Sequence, residues 1–528
     1  MASYTDIDDK TDIEAVSHWL LKFLSDPSAA TSLTLPEKTE LVNALMSDLD
    51  VQQAWSDEVR LLALQTLKIL GRVVAGCGRL LSDEGFRILM THATLLPEGG
   101  DLQDTLVTQE ALTCIANALL LEEDTRDLFN KYEGVEGLTR GLKKGSLSIK
   151  TEFLTSRILF VMTVRPLPSV KSLVNRLGII DILEHTISTH IEGLGRQESN
   201  TDAPMQITRI MILNEQLKLL FNLMVNDPKI EKVNKEEQPA LSFKFEKLLA
   251  PVLRVITELK QSGPLPMTPP HSHAVHALLN FPVAQYKKLW FPDNQKEGES
   301  HLLIDKLVDM LKEMVFFIVK GDPDDNNSGL NNGLDMDESV APLVVLLKKL
   351  AEEDNDARVM LKSKLLPDNI DRSKPLEKGE SLTARLIRLM TSVMLPHLRD
   401  GVSELLFKLC DENASLFVHH VGYGNAAGFL MSHNITIPSS DPNAPIYSEK
   451  PINPITGQYV EDAPLSLANM TDEEKEREAE RLFVLFERLK KTGVMDVVNP
   501  VQEAINSGRI REIEERIAKE EVDDDDDD

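Results

Sequence analysis

The sequence predicts an all-α protein: a HEAT/armadillo-repeat superhelix, then a flexible linker and one last, separate helix. Three observations predict it. Leucines recur at three- and four-residue steps in segment after segment, the spacing of one helix face. Aromatic residues make up only 5% of the chain, so aliphatic side chains must carry the packing, as they do in stacked helices. A polar pair one turn apart also stands beside the apolar stripe in several helices, at an interval that repeats. At 528 residues the chain exceeds one ordinary core, which calls for several domains or an extended array.

The first clear stripe is Leu64, Leu67, Leu70 and Val74, flanked by Lys68 and Arg72. Leu112, Ile115 and Leu119 follow with Thr113 and Asn117, then Leu217, Leu220 and Met224 with Lys218 and Asn222. Val275, Leu278 and Pro282 come next, with His276 and Asn280. Arg72 and Asn117 are 45 residues apart and Asn222 and Asn280 are 58 apart, one repeat period and one period enlarged by a loop. Such repeats line up their inner helices as a concave wall. An Asn at one place in successive inner helices can donate to and accept from a peptide lying across that wall. Local stitching of neighbouring helices is the other use of the same amide.

Breaks at Leu96–Gly100, Ser262–Pro270 and Gly321–Gly333 punctuate the array. Within the last of these, Asp322-Pro-Asp324-Asp-Asn326 opens like a calcium loop. Asn327 stands where that loop needs Gly, and Gly333 where it needs Glu, so a disordered acidic insertion is expected instead. His271, His273 and His276 lack a paired Cys or a nearby acidic fourth ligand, so no metal site is expected. Val402 to Val418 reads as one helix through Leu405, Leu406, Leu409 and Phe417. Gly422, Tyr423, Gly424, Asn425 and Gly428 follow it, in backbone that must bend or be approached closely. A dinucleotide loop would need a preceding strand, which this helix denies; a structural turn capping the last helix pair is the other reading.

The array, residues 1–430, gives way to a Pro-rich flexible linker, 431–470, containing Pro451-Ile-Asn-Pro-Ile-Thr-Gly457. Thr471 to Glu474 then fits a capping box opening a helix over 471–495, where Leu482, Leu485, Phe486 and Leu489 form an apolar stripe on a charged segment. That stripe must be buried, either against its own repeats or against a partner. Residues 496–528 end in six aspartates, a solvated acidic tail.

A net charge of −28 argues against nucleic acid or anionic membrane as the main partner. Cys77, Cys114 and Cys410 are far apart and form no CxxC, the usage of a reducing compartment. The acidic N-terminus does not resemble a signal peptide, and no apolar run reaches the ~20 residues of a membrane helix. Together these point to the cytoplasm. There is no Walker loop, G-x-S-x-G or H-E-x-x-H, hence no catalytic residues and no cofactor to expect.

The run Val421-Gly-Tyr-Gly-Asn-Ala-Ala-Gly428, followed by Pro451 to Gly457 and an acidic helix, resembles the C-terminal part of the synembryn family (resistance to inhibitors of cholinesterase). Glu338-Ser-Val-Ala-Pro342, Arg388-Leu-Met-Thr391 and Leu405-Leu-Phe-Lys-Leu-Cys410 extend the resemblance, which spans roughly residues 60 to 495. It implies a cytosolic chaperone and guanine-nucleotide exchange factor for the α subunits of heterotrimeric G proteins, acting as a monomer. It also implies that Arg72, Asn117, Phe160 and Asn222 contact the Gα C-terminal helix, and that the helix after the linker is partner-binding. Lys68 stands where animal members carry Arg, and Leu154 where they carry an aromatic; Asn280 is added from the repeat pattern. Animal members carry acid-directed phosphorylation sites near the stretch resembling Tyr447-Ser448-Glu449. Here Lys450 and Pro451 follow, so the acidic run is missing. A passive armadillo adaptor is the alternative. Its import-receptor form fits poorly, because Trp19, Trp55 and Trp290 lie outside the Asn-bearing helices.

Overall fold

The structure, a computed structural model, describes residues 4–7, 9–51, 55–96, 101–165, 169–196, 207–230, 243–292, 302–324, 330–331, 334–436, 452–453, 455 and 457–459. The fold is all-α, with 22 α-helices among the described residues and one pair of two-residue strands. The chain forms two compact units, Met1–Lys306 and Leu307–Asp528. The first contains α1 (Ile13–Ser25), α2 (Ala29–Ser32), α3 (Leu35–Val51), α4 (Asp57–Leu70), α5 (Asp83–His92), α6 (Leu106–Leu121), α7 (Thr125–Lys131) and α8 (Gly134–Lys144). It continues with α9 (Ile149–Met162), α10 (Ser169–Asn175), α11 (Ile179–Arg196), α12 (Arg209–Ile230), α13 (Glu246–Glu258), α14 (His271–Leu278) and α15 (Lys287–Trp290).

Two layers build this unit. In one, α4, α6, α9, α12 and α14 each pack on the next. In the other, α3 backs α4, α5 backs α6, α8 backs α9, α11 backs α12 and α13 backs α14. The cause is the leucine spacing: Leu64, Leu67, Leu112, Ile115, Leu119, Leu217 and Leu220 are all fully covered. Each contributes roughly 1.5–3 kcal/mol on burial. Caps set where the helices begin. Ser82, Thr105 and Ser148 each accept a backbone N–H of the following first turn with their side chains, about 1 kcal/mol apiece.

The second unit takes most of α16 (Leu302–Ile318), then α17 (Met336–Glu353), α18 (Asn355–Leu365), α19 (Leu382–Leu389), α20 (Pro396–Leu409), α21 (Ala414–Val421) and α22 (Tyr423–Ser432). Strands Leu330–Asn331 and Leu334–Asp335 pair antiparallel ahead of α17. Helix α20 is the hub, packed by α17, α18, α19, α21 and α22.

Three expectations are corrected here. The single helix read over Val402 to Val418 is two, because Asp411 and Glu412 adopt positive φ and turn the chain between α20 and α21. Phe407, Phe417 and Phe429 then meet across the three last helices, with ring centroids 5.3 to 5.8 Å apart. The acidic stretch read as a disordered insertion is anchored at its start. Asp324 accepts Ser392 Oγ at 2.6 Å and the backbone N–H groups of Val393 and Met394, while Arg388 donates to Gly321 O. Finally, α4 stops at Leu70, capped by Gly71, so Val74 lies in the following turn and is partly exposed instead of extending the stripe. Pro282 likewise lies beyond the end of α14.

Candidate functional site

The layer α4–α6–α9–α12–α14 carries a row of polar positions. Helix α6 is covered almost all round; in its middle only Thr113 and Asn117 are half-exposed. That pattern makes α6 an internal rung whose single open edge is polar. The matching edges are Lys68 on α4, Arg157 and Phe160 on α9, Lys218 and Asn222 on α12, and His273 and His276 on α14.

Two buried carboxylates organise the row. Glu110 on α6 accepts Lys68 Nζ at 2.6 Å and Lys150 Nζ at 2.9 Å, so one side chain ties α4 and α9 to the helix between them. Burial alone would raise the Glu110 pKa, but the hydrogen bonds from the two lysines outweigh it and hold the carboxyl below its ordinary value. Glu215 on α12 repeats the device, 2.8 Å from Lys218 Nζ and 3.4 Å from Arg157 Nη1. Each acid stands seven residues before an Asn of the row, Asn117 or Asn222. Seven residues is two helical turns, so acid and amide share a helix edge. The sequence reading singled out the amides and missed the acids, although this spacing was there to be seen. Lys150 and Arg157 were missed with them; they have no periodic neighbour to mark them.

The residues expected in the groove divide by what they already touch. Lys68 is engaged by Glu110. Arg72 lies two residues past the end of α4 with its side chain exposed. Asn117 has no side-chain hydrogen bond among the described residues. Phe160 is half-exposed, and Lys218 Nζ sits 4.5 Å from its ring centroid. Asn222 Nδ2 donates to Thr163 Oγ1 at 3.1 Å, and Asn280 Nδ2 to His276 O at 3.2 Å, so both spend one N–H internally. Leu154 is buried, turned into the core. His276 is 6.2 Å from the Phe221 ring centroid, edge to face, and its Nδ1 lies 2.8 Å from Ser272 O. Burial, helped by Lys218 and His276, pushes His273 down to about 4.

A second constellation lies in the other unit, where the two Gly-bearing runs meet. Gly422 has φ +80° and ψ 144°, closing α21 and opening α22 in a conformation closed to ordinary side chains. Gly424 N–H donates to Ile455 O at 3.0 Å, and a Cβ at Gly424 would stand 3.3 Å from that oxygen. Asn425 Nδ2 donates to Val421 O, which reinforces the bend, while Tyr423 is exposed and Gly428 sits within α22. The described residues between 452 and 459 pair as in a small hairpin: Ile452 bridges Tyr459, Asn453 N–H donates to Gln458 O, and Gly457 N–H donates to Asn453 O. The segment read as flexible linker is therefore held at these residues. The apolar stripe Leu482, Leu485, Phe486 and Leu489, the acidic tail and Ser448 lie outside the described residues.

Residues 63–509 match the model of a family described as Ric8, guanine nucleotide exchange factor synembryn. Among curated proteins, the chain is similar to Chaperone Ric-8A of Danio rerio, 27% identical over 476 residues, covering 83% of this chain and 81% of that one. Chaperone Ric-8A of Gallus gallus is 28% identical over 460 residues, covering 82% and 81%. Chaperone Ric-8A of Pongo abelii is 29% identical over 493 residues, covering 87% and 86%. The matched stretch includes the polar row and both Gly-bearing runs, and on it the chain belongs to the Ric8 guanine nucleotide exchange factor synembryn family.

Proposed function

We propose that this protein is a chaperone and guanine-nucleotide exchange factor for the α subunits of heterotrimeric G proteins. The observation that carries the reading is the polar row. Lys68 and Lys150 pair with buried Glu110, Arg157 and Lys218 pair with buried Glu215, and Arg72 is exposed just past the end of α4, on a chain whose net charge is −28. A patch richer in cations than acids on so acidic a protein suits an anionic or carboxylate-ended segment. In this reading Lys68, Arg72, Asn117, Phe160, Asn222 and Asn280 receive the Gα C-terminal helix. The helix bearing Leu482, Leu485, Phe486 and Leu489 supports the Ras-like domain.

No covalent chemistry is required. A factor that binds the nucleotide-free subunit more tightly than the GDP-bound one shifts the equilibrium by that difference alone. Drawing the C-terminal helix off the Gα sheet loosens the loop around the guanine ring, and GDP leaves. Holding the same open form during synthesis withdraws it from aggregation, so exchange and chaperoning share one energetic basis. The protein acts as a monomer in the cytoplasm and reaches the cell cortex or plasma membrane through Gα. Two measurements on purified protein test this: GDP release from intact Gα, and affinity for a peptide of the Gα C-terminus. Release no faster than the spontaneous rate, with the peptide unbound, would leave only a passive helical-repeat adaptor.

A further inference from the structure

We propose that Glu215 is a specificity-determining residue of the polar row: it shares Arg157 with the terminal carboxylate of the segment bound there, so that this contact forms by trading one carboxylate for another and stays weak enough to let the partner go. This rests on the reading above, in which the row receives the C-terminal helix of Gα.

The two buried acids of the row are satisfied unequally. Glu110 gives one oxygen to each lysine, Oε2 to Lys68 Nζ at 2.6 Å and Oε1 to Lys150 Nζ at 2.9 Å. Glu215, whose side chain is only 6% exposed, puts both of its cations on a single oxygen: Oε1 lies 2.8 Å from Lys218 Nζ and 3.4 Å from Arg157 Nη1. Its Oε2 is buried without a hydrogen-bond partner among the described residues. A firm charge-assisted N–H to carboxylate bond is roughly 2.7–2.9 Å long, so Arg157 is the loosest of the four cations. Its side chain is also 38% exposed.

Placement puts that loose cation beside the partner. Arg157 stands three residues before Phe160 on α9, and Lys218 stands four before Asn222 on α12, so the Glu215 pair flanks two positions expected to receive the Gα helix. A guanidinium carries five N–H donors in a planar fork, and one of them on Glu215 leaves others for a second carboxylate. Turning Arg157 toward a ligand does not strand Glu215, because Lys218 still covers the shared oxygen. Each lysine of Glu110 serves its own oxygen, and drawing either outward would bare a buried charge. The Glu215 charge then opposes the ligand carboxylate it has made room for. A chaperone has to surrender its client, and an opposing charge at the contact shortens the time the client is held.

The experiment uses the full chain and two synthetic peptides of the Gα C-terminus, one ending in a free carboxylate and one amidated, with affinity read by titration calorimetry and dissociation by stopped flow. Glu215→Gln keeps the shape and an oxygen for Lys218 but removes the charge. It is expected to bind the free-acid peptide about fivefold more tightly, through slower dissociation, and to leave the amidated peptide within about twofold. Adding Arg157→Ala should abolish the gain. Glu110→Gln, whose lysines are not shared, should lower the urea midpoint and leave both affinities within about twofold. A purely structural Glu215 would give the opposite sign: weaker binding of both peptides and a lower urea midpoint. That result, the absence of any gain on the free-acid peptide, an equal gain on the amidated one, an equal gain from Glu110→Gln, or a gain that survives Arg157→Ala would each overturn the role of Glu215. Failure of the unaltered chain to bind either peptide would instead overturn the groove reading beneath it, and this role with it.

Discussion

Lys68 Nζ lies 2.6 Å from Glu110 Oε2, so a cation expected to meet the partner is first of all a strut between α4 and α6. Arg72, one turn of sequence further on, is exposed beyond the helix end. The two should separate on mutation. Lys68→Ala leaves a buried carboxylate with one lysine fewer, and the urea midpoint should drop by the equivalent of about 1–2 kcal/mol. Arg72→Ala should leave the midpoint alone and weaken the Gα C-terminal peptide by about 1 kcal/mol or more, read by titration calorimetry.

The asparagines should separate in the same way. Asn222 already donates to Thr163, so Asn222→Ala is expected to cost about 1 kcal/mol of stability in addition to any loss of peptide affinity. Asn117 has no such bond among the described residues, and Asn117→Ala should lower affinity alone. If Asn117→Ala destabilises as much as Asn222→Ala and both bind normally, the amides are stitches.

Acid should weaken the second unit early. Burial and the nearby Arg372 push His419 down to about 4, and burial with Lys362 pushes His420 down to about 4. Both are neutral in the fold at neutral pH, whereas in the unfolded chain they titrate near the ordinary 6.5. The unfolded state therefore binds more protons between pH 6.5 and about 4, and stability falls as pH falls through that window, with no further loss from these groups below it. Urea midpoints at pH 7 and pH 5 should differ, and His419→Gln/His420→Gln should narrow the gap.

The thiols should be silent. Burial pushes Cys114 and Cys410 up to about 12, and Cys77 is raised as well. Since the thiolate is the nucleophile, iodoacetamide at pH 8 should leave the native protein unmodified by mass spectrometry and label all three sites in urea.

The helical layers were legible in the sequence because burial imposes a period, and Leu64, Leu112 and Leu217 announce it. Interruptions were less legible. Gly71 stops α4, and Asp411 and Glu412, at positive φ, split the helix read through Phe417; breaks of so few residues leave little mark on hydrophobic periodicity. The polar row was half legible. Amides repeating beside a stripe draw the eye, whereas Glu110 and Glu215 look like ordinary surface acids until the fold buries them. Buried Arg372 could not have been found: its guanidinium donates to the carbonyls of Gly457 and His419, 85 and 47 residues away in sequence, and backbone carries no signature.

In a solenoid each repeat ordinarily answers only to its two neighbours, and unfolding can unzip from an end one repeat at a time. Glu110 makes both of those neighbour contacts with one side chain, because from α6 it reaches α4 and α9 together. Fraying α4 alone would take Lys68 away from a buried charge. The three helices are thus wired to open as one cooperative block, and amide hydrogen exchange should find a single opening energy across them. A ligand clamped at Arg72 would then quiet motion as far away as α9 without altering the average structure at all.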